Sequence, residues 1–470
     1  MSEGSEAPLH AVPSSSFSPW AISARMLVRW IERHERVDAL LDGLPRNTSK
    51  ADRGRVQHLL FGALRHMGRL DGLVARWVPR QPRTRLRAVL LLAGYELIEG
   101  RGDGHAARVV HHAVEQAKSF ASPAEARLVN AVVRKLAESL PRQSSPQPGA
   151  PAEAFAEYFS HPLWLVKRWL GDFGADSTYA LLQHNQQPAP LHARWRSPGE
   201  VVPPWLIPLE ETGFFDVLPG HWSEIERELS AGRLYLQDPS TRMAVDLLSP
   251  QPGETLLDLC AAPGGKTLQI ADRLTEGRLV AWDLPGARVD RLKENIGRVR
   301  GVETVMIEGD LLDSAERILA ARGLPLQFPG VLIDVPCSNT GVMRHRVDVR
   351  WRLQEGDFRK HGRQQSNLLA AAADLVVPGG RLVYSTCSVD REENEGVVQS
   401  FLEAGGGEWS LEAQRVARPW ETQHDGAAAF RLRRRRVTRP GRGGVTASNR
   451  SNSVPNACTT RCRRASAGWG

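Results

Sequence analysis

Apolar residues recur at helical spacing from about residue 18 to residue 140, and short polar stretches interrupt them. Positions three and four residues apart fall on one face of a helix, so this pattern predicts an all-helical region over 18–140. Polar breaks near 45–49 and 100–104 separate the helices. The helical segments are 24–31, 56–64, 86–98, 109–118 and 126–136.

A change of pattern follows the helical region. Residues 141–152 are rich in proline and serine and carry no apolar face, which predicts a linker without a core of its own. The segment 153–235 is less regular and opens with a short amphipathic helix, rich in tryptophan, over 161–169. We interpret it as a separate subdomain.

From 236 to 432, short apolar runs alternate with helical patterns. Alternation of this kind is typical of an α/β fold whose parallel sheet is covered on both faces. The predicted strands are 255–260, 278–283, 303–308, 330–334 and 380–385, and the clearest helices are 266–274, 286–299 and 363–376.

A glycine-containing turn joins the first of these strands to its helix, in the sequence DLCAAPGGKT at 258–267. Such a turn directs backbone N–H groups at an anionic ligand. Two nucleotide-type ligands compete. The end of the motif resembles a P-loop, but that motif requires glycine where Cys260 stands. An adenosine cofactor such as S-adenosylmethionine fits better, because Asp283, Asp310 and Asp334 each close a following strand.

Two cysteines also follow predicted strands, Cys337 after 330–334 and Cys387 after 380–385. A lone free cysteine is most often a small buried apolar residue. Two thiols at the ligand-binding edge of an open sheet, beside a cofactor turn, instead favour nucleophilic chemistry. A helix predicted to begin near 391–394 would lower the pKa of the Cys387 thiol. Cys260 is expected to pack against the cofactor.

Charge and cysteine content place limits on other classes of protein. The net charge of +8 does not indicate a basic folded domain, because residues 431–470 hold 11 arginines and no acid. The other 430 residues carry 50 basic and 53 acidic groups and are close to neutral. Five cysteines without CxxC or Cys/His spacing predict neither a disulfide framework nor a metal site. No segment is apolar enough for a membrane span and 1–20 lacks a secretory signal, so a cytoplasmic protein is expected.

Three motifs resemble the RsmB/Sun family of RNA cytosine-5 methyltransferases: DLCAAPGGKT at 258–267, DVPCSNTGVMRHRVDVRW at 334–351 and YSTCSVDREENE at 384–395. The likeness extends to QDPS at 237–240 and to the helical region, which resembles the NusB-like RNA-binding domain. It implies a class I S-adenosylmethionine-dependent methyltransferase fold, Rossmann-like, after an all-α NusB-like domain. The domains would be 18–140, NusB-like; 141–152, linker; 153–235, RNA-contacting subdomain; and 236–432, methyltransferase.

The resemblance also implies roles for individual residues. Cys387 would be the nucleophile that adds to carbon 6 of a flipped cytosine, Cys337 the thiol that assists release, and Asp334 the group that holds the base edge. The implied ligands of S-adenosyl-L-methionine are Cys260, Ala261, Ala262, Pro263, Gly264, Gly265, Lys266, Asp283, Asp310 and Asp334.

The chain departs from the family pattern at several positions. Asn339 stands where glycine is usual, and Arg346-Val347 where His-Pro is usual, so details of the target-base pocket are open. Residues 433–470 continue past the point where family members end and are expected to be disordered. They are either a non-specific RNA-binding tail or an out-of-frame reading of the gene end.

The sequence as a whole predicts an S-adenosylmethionine-dependent RNA (cytosine-5)-methyltransferase acting on small-subunit (16S) ribosomal RNA, without membrane or obligate protein partner. A tRNA or other RNA cytosine methyltransferase is the nearest alternative. A non-catalytic RNA-binding ribosome assembly factor is an alternative of a different class, and the two intact thiols argue against it.

Overall fold

The computed structural model describes residues 18–436, and its first third is helical. Side-chain caps at serine begin three of the helices: Ser18, Ser49 and Ser122 each accept a hydrogen bond from a backbone N–H of the first turn. Fully buried apolar residues such as Leu27, Leu60 and Leu92 form the core between them. The helices are Pro19–Arg33 (α1), Val37–Asp42 (α2), Lys50–Arg65 (α3), Met67–Ala75 (α4), Thr84–Glu99 (α5), His105–Phe120 (α6) and Pro123–Ser139 (α7).

The stretch predicted to be a free linker packs against its neighbours. Arg69 donates to Gln143 at 2.7 Å, and the hydroxyls of Ser145 and Tyr179 lie 3.3 Å apart. The following subdomain has three helices and a four-stranded antiparallel sheet in the order β2-β3-β1-β4. Its elements are Ala152–Tyr158 (α8), Leu163–Gln186 (α9), His192–Trp195 (β1), Leu206–Pro208 (β2), Phe214–Val217 (β3), Trp222–Ser230 (α10) and Leu234–Leu236 (β4).

The predicted α/β fold is confirmed: a seven-stranded sheet in the order β10-β11-β9-β8-β5-β6-β7 carries helices on both faces. Five strands, β9, β8, β5, β6 and β7, are parallel, and β11 pairs antiparallel with both of its neighbours, β9 and β10. The strands are Thr255–Leu259 (β5), Arg278–Asp283 (β6), Glu303–Glu308 (β7), Phe328–Asp334 (β8), Val376–Thr386 (β9), Trp409–Ala417 (β10) and Ala427–Arg434 (β11). The helices are Arg242–Leu248 (α11), Gly265–Leu274 (α12), Ala287–Ile296 (α13), Ala315–Ala321 (α14), Val349–Arg352 (α15), Asp357–Asp374 (α16), Glu395–Ala404 (α17) and Pro419–Thr422 (α18).

The antiparallel pair β10–β11 is absent from the predicted strands. Polar and half-exposed residues fill β10, so it lacks the apolar run of a central strand. Strand β11 extends to Arg434, two residues beyond the predicted end of the domain at Leu432. The rest of the predicted tail, residues 437–470, lies outside the described residues.

The helical region contacts the segment that links β8 to α16. Arg65 donates to the carbonyl of Arg344 at 3.1 Å, and the indole of Trp351 donates to the carbonyl of Leu64 at 2.9 Å. These bonds fix the segment next to Cys337 against the N-terminal helices. Among the described residues, no helix has the length and apolarity to cross a membrane.

Candidate active site

The turn after β5 begins at Cys260, whose φ of 56° reverses the chain, and passes through Gly264 at φ 104° into α12. The backbone N–H of Ala262 donates to the Asp283 carboxylate at 2.8 Å, which ties the turn to the end of β6. No side chain caps α12, so its first N–H groups are available to an anionic ligand.

The glycine after the cap, Gly265, has a packing role that the sequence analysis did not predict. A Cβ at Gly265 would lie 2.9 Å from Gln237 and 3.1 Å from the Tyr235 ring. The missing side chain therefore lets β4 and the segment after it pack over the turn. Close approach of a ligand is a second, untested reason for glycine here.

A cavity of about 400 Å³ opens beside this turn, which is within the size range of small-molecule sites. Six of the predicted cofactor residues line it directly, together with Asp334 at the end of β8. Those six are Cys260, Ala261, Ala262, Pro263, Gly265 and Lys266.

Acidic side chains line the cavity, and burial and pairing decide their charge. Asp258 is fully buried, and burial raises its pKa to about 7. One of its oxygens accepts from the Thr267 hydroxyl at 2.6 Å, while Oδ1 has no hydrogen-bond partner in the protein. Lys266 pairs with Asp334 at 2.7 Å. An orphaned buried oxygen and a paired carboxylate in one cavity fit the sulfonium and ammonium of S-adenosylmethionine.

The other predicted cofactor positions lie around the cavity. Gly264 sits in the turn without lining it, and both oxygens of Asp283 accept backbone N–H groups, from Ala262 and Leu284. Asp310 is exposed and accepts from the N–H of Leu312 at 2.9 Å. Their cofactor roles stay predictions.

The structure brings the two thiols together. Asp334 of β8 is in register with Ser385 of β9, so the loops that follow these strands meet. The Sγ atoms of Cys337 and Cys387 lie 3.0 Å apart, and Cys337 is buried while Cys387 is partly exposed. Asp334 joins them to the cofactor cavity, since its other oxygen accepts from Ser385 at 2.5 Å.

The hydrogen bond between the sulfurs shifts the pKa values of the two thiols in opposite directions. A proton donated by Cys337 lowers the pKa of Cys387, and the charges of Arg346 and Lys266 lower it further. The same bond, with burial, holds the pKa of Cys337 well above its ordinary value. The helix expected to lower the pKa of Cys387 begins at Glu395, with Asn394 as its N-cap. The largest cause of the lowered pKa is the hydrogen bond from Cys337, and an effect of the helix stays a prediction.

A buried polar network supports both loops. The Glu393 carboxylate accepts from the Ser338 N–H at 2.9 Å, from the Ser338 hydroxyl and from Gln365 at 3.0 Å. Asp390 accepts from the Thr340 hydroxyl at 2.6 Å and from Arg168 of α9 at 3.0 Å. The sequence analysis assigned no role to Glu393 or Asp390, although both lie in the motif that follows Cys387.

A second wall of the cavity was also missed. His192, Asp238, His345 and Asp425 line it opposite the turn. Burial and the neighbouring Asp238 hold the pKa of Asp425 well above its ordinary value. Asp425 also lines a small cavity that reaches Cys387. Asp238 lies in the QDPS segment and His345 in the motif at 334–351, whereas His192 and Asp425 carried no signal in the sequence.

A parallel-rich sheet, a glycine turn at the end of its first strand and an acid-lined cavity define a class I S-adenosylmethionine-dependent methyltransferase. The family model for 16S rRNA methyltransferase RsmB/F matches residues 245–433, and the NusB family model matches 21–138. The chain belongs to the RsmB/F family of 16S rRNA methyltransferases.

Individual relatives agree with this assignment. Ribosomal RNA small subunit methyltransferase B of Salmonella arizonae is 31% identical over 397 residues, which are 82% of this chain and 89% of the relative. The protein of the same name from Sodalis glossinidius is 32% identical over 395 residues, 81% and 88% of the two chains.

Solved structures share the fold. The crystal structure of PH0851 covers 90% of this chain and 99% of its own, with a TM-score of 0.70 and 23% identity. A methyltransferase homologue from Pyrococcus horikoshii covers 62% of this chain and 100% of its own, with a TM-score of 0.50 and 22% identity.

Proposed function

We propose that the protein methylates carbon 5 of a cytosine in 16S ribosomal RNA through a covalent adduct with Cys387. The observation that carries the proposal is the thiol pair, 3.0 Å apart at the edge of the sheet, next to the Lys266–Asp334 pair of the cofactor cavity. Relatives named as small-subunit rRNA methyltransferases support 16S rRNA as the substrate.

Covalent addition of Cys387 makes carbon 5 of the cytosine reactive. Carbon 5 of cytosine is a poor nucleophile, and a base inside a helix must leave its stack to be reached. The Cys387 thiolate adds to carbon 6, and the electrons of the C5–C6 double bond move towards carbon 5 and the ring. S-adenosylmethionine supplies the methyl group, which carbon 5 accepts once Cys387 has added.

Release reverses the addition. A base removes the proton from carbon 5, the C5–C6 double bond re-forms, and the bond between carbon 6 and Cys387 breaks. The Cys387 sulfur leaves as a thiolate, and Cys337, which keeps its proton, stabilises that thiolate by donating a hydrogen bond across the 3.0 Å between the sulfurs. Asp334, held by Lys266 and Ser385, has lone pairs left to accept from the amino edge of the base and to favour protonation of ring nitrogen 3.

The thiol variants test this division of labour. Each variant is incubated with S-adenosylmethionine and in vitro transcribed 16S rRNA, then run on denaturing gels. Cys337→Ala should accumulate an RNA–protein adduct, because the departing Cys387 thiolate lacks the hydrogen bond from Cys337. Cys387→Ala should give neither adduct nor methylated RNA.

Opposite results would assign the roles in reverse, with Cys337 as the nucleophile. Methylation by the double variant Cys337→Ala/Cys387→Ala would exclude covalent catalysis altogether. Equal methyl incorporation into tRNA would favour a broader RNA substrate over 16S rRNA. A chain that binds rRNA but never transfers a methyl group would be an assembly factor.

A further inference from the structure

Asn339 contacts both thiol residues, although nothing in the proposed chemistry requires an amide there. Its Nδ2 donates to the backbone carbonyl of Cys337 at 2.8 Å, and its Oδ1 lies 3.4 Å from the Sγ of Cys387. The residue adopts left-handed backbone geometry, with φ at 62°, which asparagine tolerates better than most residues. Glycine would satisfy the same backbone without either contact.

The orientation of this amide is fixed by its partners. If the group were turned over, Oδ1 would face the Cys337 carbonyl at 2.8 Å, and two acceptors would oppose each other. Oδ1 therefore points at Cys387. An amide oxygen only accepts hydrogen bonds, so the contact is attractive when Cys387 carries its proton and repulsive when it is a thiolate.

Asn339 thus opposes the effect of Cys337. Cys337 donates to Cys387 and favours its thiolate, with help from nearby positive charges. A hydrogen bond accepted from the neutral form of an acid raises its pKa. The titratable and charged groups around Cys387 are Cys337, Asp334, Lys266, Arg346 and Asp425.

We propose that Asn339 is a positioning residue that holds Cys387 as a neutral thiol while no RNA is bound and so sets the pH at which this sulfur becomes reactive. The proposal rests on the proposed function only in calling Cys387 the nucleophile. Protonation in the resting state keeps the sulfur from reacting with other electrophiles, and it turns the approach of the target base into the event that frees it from the Asn339 oxygen.

The test is the pH dependence of Cys387 alkylation by iodoacetamide in the full chain without RNA. Mass spectrometry of the tryptic peptide 382–391 reports Cys387 separately from the other cysteines. Asn339→Gly should move the alkylation midpoint down by roughly 0.5 to 1 pH unit, which makes alkylation near neutral pH about three- to tenfold faster. Asn339→Asp keeps an acceptor, adds negative charge and should move the midpoint up.

Ser314→Gly is the matched control, because Ser314 is exposed, has φ 58° and is the N-cap of α14, where its hydroxyl donates to Asp313. It should leave the midpoint unchanged. A midpoint that stays the same or rises in Asn339→Gly would overturn the proposal, as would a fall in Asn339→Asp. Alkylation needs neither RNA nor methyl transfer, so a failure of the proposed function in the adduct assay would leave this result separately readable.

Discussion

The cofactor turn and the thiol loops lie at the same edge of one sheet, yet they are held in different ways. Most contacts of the turn span short sequence distances: Thr267 reaches Asp258 nine residues away, and Ala262 reaches Asp283 over 21 residues. The exception is Lys266, which reaches Asp334 across 68 residues. Contacts of the thiol loops are long. Cys337 and Cys387 are 50 residues apart, and Arg168 reaches Asp390 across 222 residues.

This difference in sequence separation suggests that cofactor binding and methyl transfer depend on different parts of the fold. The turn is built mainly by one strand–turn–helix unit and the next strand, with β4 packed over Gly265 and Lys266 paired with Asp334. The thiol pair requires two strand ends, the buried carboxylates beneath them and α9 of the preceding subdomain. We therefore expect changes far from the sulfurs to damage methyl transfer while cofactor binding persists.

The largest effect is expected from Glu393→Ala. The carboxylate is fully buried and accepts from the Ser338 N–H, the Ser338 hydroxyl and Gln365. Its removal leaves these donors unpaired, which should lower the free energy of unfolding by about 3 to 5 kcal/mol. Methyl transfer should fall by at least about a hundredfold, since misplacement of a reacting group by 1 Å has that cost. Urea unfolding and a methyl-incorporation assay measure the two quantities.

Calorimetry on the same variant measures whether S-adenosylmethionine binding at the cofactor turn is independent of the thiol loops. At a temperature where Glu393→Ala stays folded, its affinity for S-adenosylmethionine should remain within about threefold of the parent. Glu395→Ala, two residues further on at the half-buried first position of α17, is the control and should change neither quantity. A loss of cofactor affinity as large as the loss of activity would show that the two regions form one unit.

The next effect concerns the turn and its buried Asp258. Burial raises the pKa of this carboxyl to about 7, far above its value in an unfolded chain. The folded state therefore binds a proton that the unfolded state has released, and stability falls as the pH rises from about 4 to about 7. Between pH 5.5 and pH 7.5 the free energy of unfolding should drop by about 2 kcal/mol from this group.

Asp258→Asn removes the titration and keeps an oxygen for the Thr267 hydroxyl, so its drop over the same interval should be smaller by that amount. Urea unfolding of both proteins without cofactor, at the two pH values, gives the difference. Equal pH dependence in the two proteins would mean that Asp258 is ionised in the folded state. Asp258 would then meet a cationic cofactor group as a charged carboxylate.

The same contrast explains what the sequence could predict. The motif at 258–267 and the apolar runs of β5 to β9 are local patterns, and the structure has the predicted strands with small changes of boundary. The meeting of Cys337 with Cys387 also follows from local information, because parallel strand ends share one edge.

The missed features are those that local patterns do not encode. Glu393 and Asp390 look like surface acids before a helix until β8, β9 and α16 enclose them. His192 and Asp425 reach the cavity from segments more than 200 residues apart. β10 is an edge strand with exposed charges, whose partner β11 covers it on one side only. Each of these features depends on contacts between distant segments, which residue spacing along the chain does not predict.

The smallest effect tests where the methyltransferase sheet ends. Arg433 and Arg434 complete β11: Arg433 pairs with Glu412 at 2.7 Å, and Arg434 pairs with Glu408 at 2.7 Å and donates to the Val376 carbonyl at 2.6 Å. Truncation after Leu432 removes these contacts and should lower the free energy of unfolding by about 1 to 2 kcal/mol, since partly exposed ion pairs contribute little each.

Truncation after Arg436 keeps all of these contacts and is the matched control. It should match the full chain in urea unfolding and in methyl transfer at low salt, while any salt-sensitive, sequence-independent RNA affinity of the removed arginines would be lost. If both truncations unfold at the same urea concentration as the full chain, the sheet ends at Leu432, as the sequence analysis predicted. If the truncation after Arg436 is itself destabilised, residues 437–470 contribute to the fold, and the boundary lies further along the chain than either position.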